Sequence, residues 1–218
     1  LDAALAAVGL AWDAVADLMH GTTLATNAIV QNKLSPVALI ATEGFGDTLE
    51  IGRQDRRDLY RLDVLPKLVP LVAESLRLEV AERVDVEGHV LVSLADEAAE
   101  SVAHEAAALG VEAVAVALLN AYANPAHERA LGARLAGVVP HVALSHRVNA
   151  EAREYERTSA TVLNAALMPQ ATDYIDRLSR RAVAGTRLHL FHSAGGMAAP
   201  EAVKELPLAL ALSGPAAG

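Results

Sequence analysis

The sequence contains no cysteine. That excludes a disulfide framework, a thiolate metal site and cysteine-based nucleophilic catalysis. Positive charge is scarce: 18 Lys and Arg stand against 27 Asp and Glu, for a net charge of −9 and a pI near 5.3. Nucleic acid is held largely by phosphate neutralisation, and this balance argues against it as a partner. No uninterrupted apolar run reaches the ~18 residues of a membrane-spanning helix. No basic, apolar, small-residue leader marks secretion either. The expectation is a soluble, cytoplasmic protein with neither a nucleic-acid nor a membrane partner. The phosphate-binding P-loop, the dinucleotide fingerprint and the Gly-x-Ser-x-Gly elbow are missing as well.

What is present is enough apolar material for a core: 53% of 218 residues are hydrophobic. At ~150 residues per domain the length allows one large domain or two small ones. Strand-length apolar runs alternate with amphipathic stretches, the pattern of an α/β protein with mainly parallel strands. Strands are expected at Asp17–His20, 37–41, 111–119, 141–145 and 188–192, and helices from Thr22, over 95–109 and 125–137, and at Pro200–Glu205. Asp85-Val-Glu-Gly88 has the composition of a hairpin turn. Residues 151–183 read as a long charged helix broken at Pro169, and Pro207–Leu212 as a strand. The chain starts with Leu1 and ends in Ser213-Gly-Pro-Ala-Ala-Gly218, a loop that normally hands over to another element. A segment of a longer protein is therefore expected.

Three loops at expected strand ends combine glycine with hydroxyl or imidazole groups: His20-Gly-Thr-Thr-Leu-Ala-Thr-Asn27, His192-Ser-Ala-Gly-Gly196 and Ser213–Gly218. Ligands of open α/β sheets bind at the carboxyl ends of strands. Glycine admits close backbone approach, and free N–H groups at a helix start favour an anion. The same threonines serve equally as helix caps. The eight histidines show no pair at metal-binding spacing, and no metal set is expected. Arg53, Arg56 and Arg57 offer an anion site that Asp55 and Asp58 partly neutralise. The dense Glu151–Thr158 run reads first as a solvated helical face.

Taken together, His20–Ala28, Thr42–Gln54 with its Gly52-Arg-Gln, Ala121-Tyr-Ala-Asn-Pro-Ala-His-Glu128, Glu154-Tyr-Glu-Arg-Thr-Ser159 and Leu212–Gly218 resemble the hydantoinase A / 5-oxoprolinase family, in order and spacing, over the whole chain. The resemblance implies ribonuclease-H-like, actin-like ATPase lobes with a mixed, mainly parallel sheet, incomplete at both ends. It divides the chain into an N-terminal region, 1–150, and the beginning of a core domain, 151–218. It implies part of an ATP-dependent hydrolase that opens hydantoin or 5-oxoproline rings by phosphorylating the carbonyl oxygen, using ATP and Mg2+, with a hydantoinase B-type companion subunit. The alternatives are the nucleotide-binding subunit of an ATP-dependent ketone carboxylase and a non-catalytic binding module. Relatives carry an Asp-x-Gly-Gly-Thr loop upstream and a second Gly-Gly-Thr loop downstream, so these residues alone are expected to be inactive. By resemblance, His20, Thr22 and Thr23 are catalytic. Gly21, Asn27, Gly195, Gly196, Ser213, Gly214 and Gly218 bind the nucleotide, and Arg53 and Gln54 the substrate. Arg157 holds its helix to the lobe. Ala194 stands where relatives more usually carry Asn.

Overall fold

A computed structural model describes residues 2–9, 11–54, 60, 69–181, 185–193 and 195–211. In chain order these form α1 (Asp2–Ala7), β1 (Asp17–His20), α2 (Leu24–Val30), β2 (Val37–Thr42), α3 (Thr48–Ile51), β3 (Arg77–Val80), β4 (Arg83–Val84), β5 (Val90–Val92) and α4 (Asp96–Ala108). There follow β6 (Ala113–Ala117), α5 (Ala126–Leu135), β7 (His141–Leu144), α6 (Ser145–Val148), α7 (Glu154–Arg181), β8 (Arg187–Phe191), β9 (Met197–Ala198) and α8 (Pro200–Glu205). The chain divides into two compact units, one of residues 35–166 and one of 1–34 with 167–218.

The 35–166 unit is built on a four-stranded sheet in the order β3-β2-β6-β7, parallel throughout. Its central strands, Val-Ala-Leu-Ile-Ala-Thr and Ala-Val-Ala-Val-Ala, are buried at every position. A parallel strand covered on both faces needs that unbroken apolar run, so alternation is absent where the sheet is deepest. Helix α4 lays Ala99, Val102, Ala103 and Ala106 into the core beside Ile40, Val116 and Leu131, an i, i+3, i+4, i+7 stripe. Asp96 and Glu97 in its first turn complement the helix dipole. Gly110, at φ +67°, takes the left-handed conformation that closes its end. The expected hairpin is β4–β5, turning through residues 85–89.

In the other unit β1 pairs in parallel with β8, and β8 antiparallel with β9. Leu190, Ala25, Ala28, Leu167, Ile175, Val203 and Leu210 form its core. The α/β class with a mainly parallel sheet is as expected from the sequence.

Two expectations are corrected. Pro169 does not break the helix, since α7 runs unbroken for 28 residues with the proline inside. An interior proline costs a helix ~3 kcal/mol. Here Leu167, Met168 and Ala171 around it are buried and outweigh that cost. The Ala166 carbonyl, just before the proline, accepts the Ser35 N–H at 3.3 Å. The strand expected at Pro207–Leu212 is instead a 3-10 turn at Pro207–Leu210. Pro207 has no N–H for a ladder and sits at the turn's first position. Burial of Pro207 and Leu210 then fixes the turn. The loop 213–218, with Ser213, Gly214 and Gly218, lies outside the described residues, as do Ala194 and residues 55–58.

Candidate functional site

His20 is the last residue of β1, and its neighbour in the parallel ladder is Leu190 of β8. The Gly21–Thr23 loop and the His192–Gly196 loop therefore leave adjacent parallel strands at the same, carboxyl end, where open α/β sheets bind ligands. Gly195 and Gly196 have φ of +78° and +122°, which only glycine adopts without strain. The Ser193 N–H reaches the Ala209 carbonyl at 2.8 Å, tying this loop to the 3-10 turn.

The threonines do not cap α2 in the simplest way. Thr23 is the N-cap residue, yet its hydroxyl makes no capping bond. It accepts instead from the Asn27 side-chain amide at 3.1 Å, while the Thr22 hydroxyl accepts the Leu24 N–H at 3.2 Å. Thr23 and Asn27 are exposed and Thr22 half-buried, so Thr23, still holding a hydroxyl proton, faces water. The His20 Nε2 lies 2.5 Å from the Tyr174 hydroxyl, with ring centroids 5.9 Å apart. Burial pushes the imidazole below the usual histidine range, which keeps the ring uncharged at neutral pH. The structure thus brings His20, Gly21, Thr22, Thr23, Asn27, Gly195 and Gly196 to one end of one sheet.

Arg53 and Gln54 belong to the other compact unit. Arg53 donates to Glu156 at 2.6 Å and lies over the Tyr155 ring, and its side chain remains 60% exposed. That hydrogen bond holds the Glu156 carboxyl below its ordinary range. Phe45, Thr48, Ile51, Gly52, Arg53 and Tyr155 are among the residues lining a cleft of about 570 Å³. Gln54 is exposed, with φ +57°.

Sequence reasoning missed a polar network under the 35–166 sheet. Glu128 is fully buried and accepts from the Leu118 N–H (3.0 Å), the Ser145 hydroxyl (2.6 Å), the His146 N–H (3.0 Å) and His146 Nδ1 (2.6 Å). Glu82, also buried, accepts from Thr42 and from His127 Nδ1 (2.7 Å), while His127 Nε2 takes the Leu94 N–H. The signal was there in Asn-Pro-Ala-His-Glu128, but its partners lie far away in sequence. Arg157, expected to hold its helix, is 1% exposed and donates to the Glu151 and Leu118 carbonyls at 2.7 and 3.2 Å. It is thus no part of a solvated face. The fold also gathers Asp85, Glu87 and His89 on the β4–β5 turn, with possible ligand atoms within 4.8 Å of one another. Asp85 Oδ1 already accepts the Glu87 and His89 N–H groups and so shapes the turn.

Comparison with known proteins agrees with this architecture. The hydantoinase/oxoprolinase N-terminal region matches residues 1–138, and the hydantoinase/oxoprolinase family matches 157–218. An uncharacterized protein of Methanocaldococcus jannaschii is 38% identical over 95% of this chain and 32% of its own length. Caprolactamase subunit alpha of Pseudomonas jessenii is 32% identical over 91% of this chain and 29% of its own. The crystal structure of that organism's ATP-dependent caprolactamase superimposes with a TM-score of 0.82 at 31% identity, over 99% of this chain and 33% of that one. Acetone carboxylase in a nucleotide-free structure gives 0.80 at 25% identity, over 98% and 33%. The chain thus spans about a third of the relatives it matches. With the same fold and both family segments in order, it belongs to the hydantoinase/oxoprolinase family.

Proposed function

We propose that these residues work as part of a longer cytoplasmic enzyme that hydrolyses a cyclic amide at the expense of ATP, beside a hydantoinase B-type companion subunit. An amide carbonyl is a poor electrophile. Attack of its oxygen on the γ-phosphorus forms a P–O bond and releases ADP, and water can then add to the activated carbon. The ring C–N bond breaks and the nitrogen takes a proton, which leaves an acyl phosphate; a second water attacks its carbon, and phosphate leaves with the former carbonyl oxygen. One ATP and two waters are consumed per ring opened.

The observation that carries this reading is the register of His20 with Leu190, by which the His20–Asn27 and Gly195–Gly196 loops share one carboxyl end of paired strands. The hydroxyls of Thr22 and Thr23 supply donors for oxygens that gain charge as the phosphoryl group transfers. Asn27 holds the Thr23 hydroxyl, and the glycines let a phosphate chain approach the backbone. Arg53 and Gln54 contact substrate in this reading. The 20–27 segment carries hydroxyls and an amide but no carboxylate, so it does not by itself suit Mg2+, which prefers carboxylate oxygens.

In the full-length enzyme, Thr22→Ala with Thr23→Ala should lower phosphate release dependent on hydantoin or 5-oxoproline by at least about tenfold. Unchanged kinetics with a small stability loss would return both threonines to shaping the loop. A second reading, the nucleotide-binding subunit of a ketone carboxylase, is favoured by the superposition on acetone carboxylase. Phosphate release that requires acetone and bicarbonate, and ignores cyclic amides, would select it.

A further inference from the structure

Tyr174 appears in none of the motifs that carry the family resemblance, yet it is the hydrogen-bond partner of His20 in the proposed site. The two residues are 154 positions apart. The β1–β8 ladder fixes the His20 backbone. On α7, Ile175 lies in the core and Tyr174 and Leu178 pack against it, so the helix face that delivers the phenol is anchored too. The end of β1 and this helix face thus meet at a polar contact, Nε2 to hydroxyl.

An imidazole that is uncharged carries its proton on one nitrogen, and the hydrogen bond made by the other decides which. Among the described residues Nδ1 of His20 has no hydrogen-bond partner, while Nε2 has the phenol. A tyrosine hydroxyl can donate its proton to the lone pair of a neutral ring nitrogen, and that polarity of the Tyr174 contact leaves the ring hydrogen on Nδ1. We propose that Tyr174 is a positioning residue, which fixes His20 as the Nδ1–H tautomer and so presents an uncharged N–H donor, not a base, to the reacting oxygens. This rests on the reading of the His20 loop as the phosphoryl-transfer site. It deepens that reading by giving His20 a defined role: the donor stabilises charge on oxygen, and the proton that water loses goes elsewhere.

The test uses the full-length protein, labelled with 15N-histidine, with the His20 signal assigned by its loss in His20→Gln. At a pH where the ring is neutral, the wild type should show a pyridine-type shift at Nε2 and a pyrrole-type shift at Nδ1. Tyr174→Phe keeps the ring and its packing and removes only the hydroxyl. It should lose that pattern and lower kcat about tenfold or more, with KM for ATP and for the amide within about twofold and the thermal midpoint nearly unchanged. A merely structural tyrosine would move the midpoint and leave the tautomer and kcat alone. Protonated Nε2 in the wild type, or wild-type kcat in Tyr174→Phe, overturns the proposal. A fully active His20→Gln instead removes the reading of the site itself, and the catalytic role of Tyr174 with it.

Discussion

Arg157 is the residue whose loss the structure predicts most sharply. Its guanidinium is buried, donates to the Glu151 and Leu118 carbonyls, and stands 5.5 Å from the Tyr122 ring centroid. Hydrogen bonds from a charged donor contribute ~1.5–3 kcal/mol each. Burial works against them: it lowers the guanidinium's pKa, Glu154 and Glu128 partly oppose that, and Nε has no hydrogen-bond partner. Removing one member of such a buried set costs ~3–5 kcal/mol, because the groups left behind are stranded and a hole remains. Arg157→Ala should therefore lower the thermal midpoint by about 6–20 °C, at ~2–4 °C per kcal/mol for a chain of this size. Arg157→Met keeps most of the stem and relieves the buried charge, and should lose about half as much. Circular dichroism melts at fixed protein concentration measure both, and amide exchange along residues 151–166 localises the effect. An Ala variant within about 1 kcal/mol of the parent would refute the holding role.

Glu128→Ala strands four donors at once and should cost ~3–5 kcal/mol in urea unfolding at unchanged m. Glu128→Gln, which turns one acceptor into a donor facing donors, should recover only part of this, and full recovery would show that the charge and both acceptors are dispensable. Asp17 is held far below its ordinary range by its hydrogen bond to Arg187 and then by His189. A depressed carboxylate contributes stability that is complete above its unfolded pKa of ~3.9 and disappears as pH falls below it. Asp17→Asn should flatten the loss of stability between about pH 4 and pH 2, and an unchanged acid slope would remove the Arg187–His189 cluster from the account.

Much of the fold was legible because local chemistry and tertiary demand coincide there. The runs 37–41 and 113–117 are all apolar, and a central parallel strand accepts nothing else. Asp17–His20 and Pro200–Glu205 lie where expected, the latter because proline at a first helical position loses no hydrogen bond. The grouping of His20, Thr22 and Thr23 with Gly195 and Gly196 was legible only as loops after strands. That they share one end depends on β1 pairing with β8, across some 170 residues.

Composition and local pattern settle the class: an acidic, cysteine-free α/β chain carrying the blocks of one family. Those features depend on residue type and on spacings within one element. Long-range packing decides that α7 passes through Pro169 without a break and that Pro207–Leu210 turns instead of pairing. It also decides that residues 1–34 and 167–218 build one unit around a shared core. The same holds for Glu128, Glu82 and Tyr174. A carboxylate or a phenol reads the same in any sequence, and whether it is solvated, buried or set against a histidine depends on chain brought from far away.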